Sequence, residues 1–240
     1  MLALPVVGSA LQEMKRAGRK IVGVVAWDYQ MAQIADRAGV DLISVGDSAG
    51  VHLWGREPDD ITLEEMLILC RAVRRGVTRA LLSVDLPAHE QNFEAALRLK
   101  ECGAELVKLV GSADLVRSVV RVGVPVFGEF HGGKDEPAML VEHARRLEDA
   151  GATLLDFRHS GPVASTAVTR AVKIPVVGGL NDGPWLDGRM RLAHGAIGYG
   201  FANLGKPADQ YANVAQVSHD ALAAYADDVR AARQTRDPRA

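Results

Sequence analysis

A helical segment that closes near a glycine and gives way to a short apolar run recurs along this chain, and that alternation constrains the fold more than any other feature. It appears in ADRAGVDLISV (35–45), KECGAELVKLV (100–110), VRVGVPVFGEF (120–130) and LEDAGATLLDF (147–157), and more loosely in TRAVKIPVVGG (169–179) and RLAHGAIGYGF (191–201). Glycine ends a helix in the left-handed conformation, and an apolar run without polar alternation suits a strand buried on both faces. With IVGVVAW (21–27) and ALLSVD (80–85) there are eight such runs, beginning near residues 21, 41, 80, 105, 124, 153, 174 and 196. Their mean spacing, about 25 residues, holds one strand, one helix and two short loops. Eight βα units predict an α/β fold of the single (β/α)₈ barrel type, with a doubly wound sheet as the alternative. No Ser/Gly/Pro-rich linker divides the chain, so the expectation is one domain over 1–240, with the polar stretch 230–240 as a solvated tail.

The charge balance excludes some partners. The chain has 28 Lys+Arg against 30 Asp+Glu, a formal net charge of −2, which offers no footprint for nucleic acid or an anionic membrane. No window approaches the ~18 apolar residues of a membrane span, and the first residues do not read as a signal peptide. The cysteines, Cys70 and Cys102, are too few for a disulfide framework, so a reduced, cytoplasmic setting is expected.

In a barrel of this kind the chemistry sits at the C-terminal ends of the strands. The first run ends at Trp27-Asp28-Tyr29, the second at Gly46-Asp47-Ser48 and the third at Asp85; Lys108 lies in the fourth. The fifth ends Glu129-Phe130-His131, the sixth Asp156-Phe157-Arg158-His159, the seventh Gly179-Leu180-Asn181 and the eighth Tyr199-Gly200. A lone carboxylate on an apolar strand is costly to bury. Asp47 and Asp85, with a glutamate from a neighbouring strand, therefore suit a hard cation such as Mg²⁺, although an aspartate after a strand can also cap the next helix. Lys108 inside ELVKLV reads as a group for a carboxylate or enolate, with a structural ion pair as the alternative. Arg158 at the mouth suits a carboxylate, or else a surface salt bridge. GLNDG (179–183) is a turn and only a weak phosphate loop. Thr62 with Glu65 forms a capping box that starts a helix, leaving a long loop before it.

Read in order, VAWDYQMAQIADRAGVDLISVGDSAG, TLEEM, AVRRG, VDLP and GAELVKL resemble the ketopantoate hydroxymethyltransferase family, within the phosphoenolpyruvate mutase/isocitrate lyase superfamily of barrels. The similarity runs from about residue 19 to 180. It implies a Mg²⁺ held at Asp47 and Asp85, and a 2-oxo acid held with the help of Ser48 and Lys108. The implied reaction passes a one-carbon unit from methylene-tetrahydrofolate to the enolate of 3-methyl-2-oxobutanoate. It also implies a homo-oligomer.

Three positions depart from the family pattern. Where the family has VK-x-EGG, KLVGS puts Val110 at the glutamate; where it has GH-x-GLTPQ, Glu129 replaces the histidine; and counting back from Ile174-Pro175 puts Arg158 at the glutamate of the family's LEC. A guanidinium cannot accept a proton at neutral pH. Hydroxymethyl transfer and the folate donor are thereby put in question, while the metal and oxo-acid residues are kept. The expectation is then a metal-dependent enzyme making or breaking a C–C bond through a 2-oxo acid enolate, with Glu129 moved to the metal side and His131 or His159 as base. Trp27 is expected to line the substrate. Two alternatives stand beside this: Glu129 pairing with Arg158 or Lys108, and a barrel that binds without turnover.

Overall fold

The computed structural model describes residues 6–57, 60–179, 183–206 and 210–233. Two compact units, 1–191 and 192–240, divide the chain. The first is built on strands β1 (Ile21–Val25), β2 (Leu42–Val45), β3 (Leu81–Asp85), β4 (Leu106–Val110), β5 (Val126–His131), β6 (Leu154–Arg158), β7 (Val176–Gly178) and β8 (Gly188–Leu192). They pair in sequence order as a closed parallel barrel, and helices lie between successive strands as far as β7. The fold is a single (β/α)₈ barrel.

Seven of the apolar runs coincide with strands; the eighth does not. Residue 196 lies in helix α9 (Ala193–Ile197), which closes with Gly198 in the left-handed conformation. The eighth strand is GRMRL, with Gly188 and Met190 buried and Arg189 exposed. An alternating strand carries no continuous apolar run, so the criterion that found the other seven passes over it. Gly188 is required there, because a Cβ would run into the Ile21 carbonyl oxygen where β8 meets β1. The link from β7 to β8 contains no helix among the described residues, and the centre of GLNDG, 180–182, lies outside them.

Helix α1 (Val6–Arg16) sends Lys15 to the carbonyls of Thr169 (2.8 Å) and Ile174 (2.9 Å) and to Asp187 (3.0 Å), tying the segments on either side of β7. The long loop after β2 is partly helical: α3 (Ala49–Trp54) follows Asp47 and Ser48 directly. The capping box holds as expected, with Glu65 and Thr62 exchanging hydrogen bonds at the start of α4 (Leu63–Gly76). In the second unit, Asn213 caps α10 (Val214–Arg230) through the Gln216 amide. Of the stretch expected to be a tail, 234–240 lies outside the described residues.

Asp36, in α2 (Tyr29–Ala38), is 3% exposed and accepts hydrogen bonds from the amides of Thr78, Arg79 and Ala80 and from the Thr78 hydroxyl. It fixes the chain as it enters β3. Burial works to raise its pKa, but the four donors outweigh it and bring it down to about 2. Because the folded value lies below the unfolded one, this stabilisation is complete above about pH 4 and is lost as pH falls toward 2. Asp36→Ala is expected to cost about 2–3 kcal/mol in urea unfolding at pH 7. Asp36→Asn should flatten the wild type's loss of stability between pH 4 and 2; an unchanged acid profile would show that the anchor lies elsewhere.

Candidate active site

Strand register places the polar residues of the barrel mouth. Asp85 pairs with Lys108 across β3 and β4, and Glu129 with Asp156 across β5 and β6. Side chains alternate along a strand, so Arg158 shares a face with Asp156, and His131 with Glu129, each one step nearer the mouth. The contacts follow that order. Lys108 Nζ lies 2.5 Å from Glu129 Oε2, 3.1 Å from Asp156 Oδ2 and 3.4 Å from Asp85 Oδ2. Arg158 Nη2 is 2.7 Å from Asp156 Oδ2, and His131 Nε2 is 3.0 Å from Glu129 Oε1.

Asp85, Lys108 and Asp156 are all buried, Asp156 completely. Burial alone would lower the Lys108 pKa, but Asp85, Asp156 and Glu129 together drive it up, so the ammonium stays protonated. Asp85 goes the other way. Burial pushes its pKa up to about 7; Lys108 pulls against this, and Asp47, Glu129 and Asp156 reinforce it. The two directions are compatible, because Lys108 faces three carboxylates while Asp85 shares one ammonium with competing carboxylates. For Glu129, burial raises the pKa, but Lys108, Arg158 and His131 bring it below the ordinary value.

Four carboxyl groups (Asp47, Asp85, Glu129 and Asp156) thus influence one site that has two permanent cations, Lys108 and Arg158. A hard divalent cation fits that donor set: the donors are oxygens, and negative charge is in excess. Among the described residues no group of three or more His, Cys, Asp or Glu is arranged to hold a metal, so such an ion would take few protein ligands and keep several waters. Neither aspartate is the cap of the following helix. Ser48 occupies the cap position of α3 without a side-chain cap bond, and Pro87 precedes the short helical turn Ala88–Glu90.

Trp27, just past the end of β1, is buried; its indole donates to the Gly46 carbonyl (3.0 Å), next to Asp47, and its ring stacks on His52 (5.4 Å). Val110 is 53% exposed at the end of β4. His131 and His159 stack at 5.6 Å on the rim, and His159 holds a left-handed backbone (φ 54°) unusual for a residue with a side chain. Gly132 packs against that turn, leaving no room for a Cβ beside the His159 carbonyl (2.7 Å).

Of two further polar residues at this centre, Asp156 stands at the end of its run without an assigned role, and Ser44 does not emerge from reading only the ends of the runs. Asp156 sits in the middle of LLDFR, and Ser44 in the middle of LISV, where its hydroxyl donates to Asp85 Oδ1 (3.2 Å). A polar residue inside an apolar run is the signal that singles out Lys108, and it applies equally to both. Asp156 Oδ1 is buried with no hydrogen-bond donor among the described residues.

The model of the family described as ketopantoate hydroxymethyltransferase matches residues 6–134 and 129–235. The chain belongs to that family. It is 34% identical over 249 aligned residues to the 3-methyl-2-oxobutanoate hydroxymethyltransferase of Cytophaga hutchinsonii, covering 92% of this chain and 90% of the relative. It is 35% identical to that of a Cyanothece species (92% and 94% covered). Among solved structures, 2,3-dimethylmalate lyase, described as a PEP mutase/isocitrate lyase superfamily member, superposes with a TM-score of 0.67 at 12% identity (98% and 91% covered). A phosphonopyruvate hydrolase complexed with oxalate and Mg²⁺ does so with a TM-score of 0.66 at 14% identity (95% and 88% covered). At such identities these two likenesses concern the barrel alone. Family membership makes this chain an enzyme of the ketopantoate hydroxymethyltransferase kind.

Removing the ammonium leaves two buried carboxylates, Asp85 and Asp156, and the partly buried Glu129 without their shared partner. Lys108→Met is expected to cost about 3–5 kcal/mol at pH 7. In the variant Asp85 loses the cation that opposes the effect of its burial and stays above its unfolded value, so stability should return as pH falls toward 5 and be lost again as it rises. Urea unfolding at both pH values measures this; a variant as stable as wild type at pH 7 would show that Lys108 does not hold the core.

Proposed function

We propose that this enzyme forms the enolate of a 2-oxo acid, 3-methyl-2-oxobutanoate, and makes a C–C bond at it. The observation that carries this reading is the Asp156 carboxylate, which is buried beside Lys108 and Arg158 and has one oxygen without a donor. Counting back from Ile174 puts Arg158 at the family's LEC glutamate; matching the motif to the strand puts Leu155-Asp156-Phe157 there instead. On that match β6 keeps a carboxylate, and the proton acceptor need not move to His131 or His159.

Asp47 and Asp85 would hold Mg²⁺. The bound ion supplies Lewis-acid polarisation of the oxo group. An ammonium has three N–H donors, and Lys108 has three carboxylates around it, Asp85 the farthest at 3.4 Å. The N–H nearest Asp85, its weakest contact, is the one Lys108 would give to the substrate's oxo oxygen, and Ser48 would bind its carboxylate. Asp156 then takes the C3 proton. The C–H electron pair passes into the enolate, whose negative oxygen faces Lys108, and the C3 carbon attacks a one-carbon electrophile. Glu129 keeps Lys108 in place and orients His131. Methylene-tetrahydrofolate as the donor, a homo-oligomeric state and a cytoplasmic setting are supported by the family resemblance and, for the last, by the free thiols Cys70 and Cys102.

Solvent deuterium exchange at C3 of 3-methyl-2-oxobutanoate tests enolate formation without assuming the second substrate. Exchange should require Mg²⁺ and fall at least about 10²-fold in Asp156→Asn, with His131→Ala retaining most of it. Exchange that survives Asp156→Asn but not His131→Ala would move the base to the rim, and no exchange in the wild type with metal would overturn the reading. Product formation with and without the folate donor decides the electrophile.

A further inference from the structure

We infer that Ser44 is a positioning residue for Asp85, aiming one carboxylate oxygen at the mouth; this rests on the reading of Asp85 as a metal ligand. The two Asp85 oxygens have different surroundings. Oδ1 accepts the Ser44 hydroxyl at 3.2 Å, from β2 and inside the barrel. Oδ2 lies toward Lys108 Nζ (3.4 Å) and toward Gly46, being 3.8 Å from where a Cβ at Gly46 would stand. Gly46 leads directly into Asp47. The oxygen on the Asp47 side is therefore the one Ser44 does not hold, and the Ser44 bond stops the carboxylate from rotating to give both oxygens to Lys108. Such outer hydrogen bonds commonly orient a ligating carboxylate.

The placement is specific. Ser44 is 2% exposed in a strand whose other members, Leu42, Ile43 and Val45, are all apolar. A hydroxyl buried there costs stability unless it is bonded, and its acceptor is Asp85. Ser83 provides an internal control. It is the register partner of Ser44 and is also fully buried, yet its hydroxyl makes no hydrogen bond with any described residue. The same residue type at the same level of the barrel is thus coupled to Asp85 in one strand and uncoupled in the next.

Calorimetric titration of the full chain with Mg²⁺ or Mn²⁺, with no substrate present, tests this. Ser44→Ala should weaken binding about tenfold, Ser44→Thr should restore it to within about twofold, and Ser83→Ala should leave it unchanged. Thermal unfolding of each variant establishes that it is folded. Equal losses in Ser44→Ala and Ser83→Ala would mean a general packing effect and overturn the inference, as would wild-type affinity in Ser44→Ala. A wild type that binds neither ion removes the metal reading. The positioning contact is then decided in the metal-free protein by a double-mutant cycle of Ser44→Ala with Asp85→Asn on the unfolding constant. Non-additivity of about tenfold is expected, and additivity overturns the contact.

Discussion

One ammonium group holds together the polar centre of this barrel. Lys108 touches carboxylates from the strands on either side of its own and from one strand further, so three strand ends converge on a single charge. A barrel interior otherwise filled with Val, Leu and Phe could not keep Asp85, Glu129 and Asp156 in place without it. The same arrangement leaves the centre short of positive charge. Asp85, which competes for a shared partner, bears that shortage: burial first, and then its carboxylate neighbours, bring its pKa up to about 7.

The barrel's regular pairing turns this into a site. Because β3, β4, β5 and β6 follow one another in space as they do in sequence, residues that are far apart along the chain become neighbours through hydrogen-bond register alone. The loop that carries Asp47 and Ser48 is placed separately, by the buried Trp27 that donates to it and by Gly46, where a Cβ would collide with Val25 (2.9 Å). The charged centre is thus set by strands, and the loop is adjusted to it.

Much of this was legible in the sequence, for a physical reason. A strand buried on both faces must be apolar throughout, so seven of the eight strands stand out, and a charge within such a run, as at Lys108, is conspicuous. β8 escaped because Arg189 faces outward and interrupts the apolar signal. Asp156 was visible at the end of its run but carried no role there, and Ser44, which bears the same mark as Lys108, needed only the same test applied to the whole run. The pairing of Glu129 with Lys108 was one of two arrangements compatible with the sequence. Choosing between them takes side-chain reach across strands, which no one-dimensional spacing contains.

The turn after β6 has a consequence of a different kind. His159 sits in a left-handed backbone with Gly132 pressed against its carbonyl, and a side chain in that conformation costs on the order of 1 kcal/mol or more. Glycine would adopt the same turn freely. Heat selection acting on this chain would therefore tend to replace the histidine early, and lineages that live hot yet keep it would be declaring that the imidazole on the rim matters more to them than the stability it withholds.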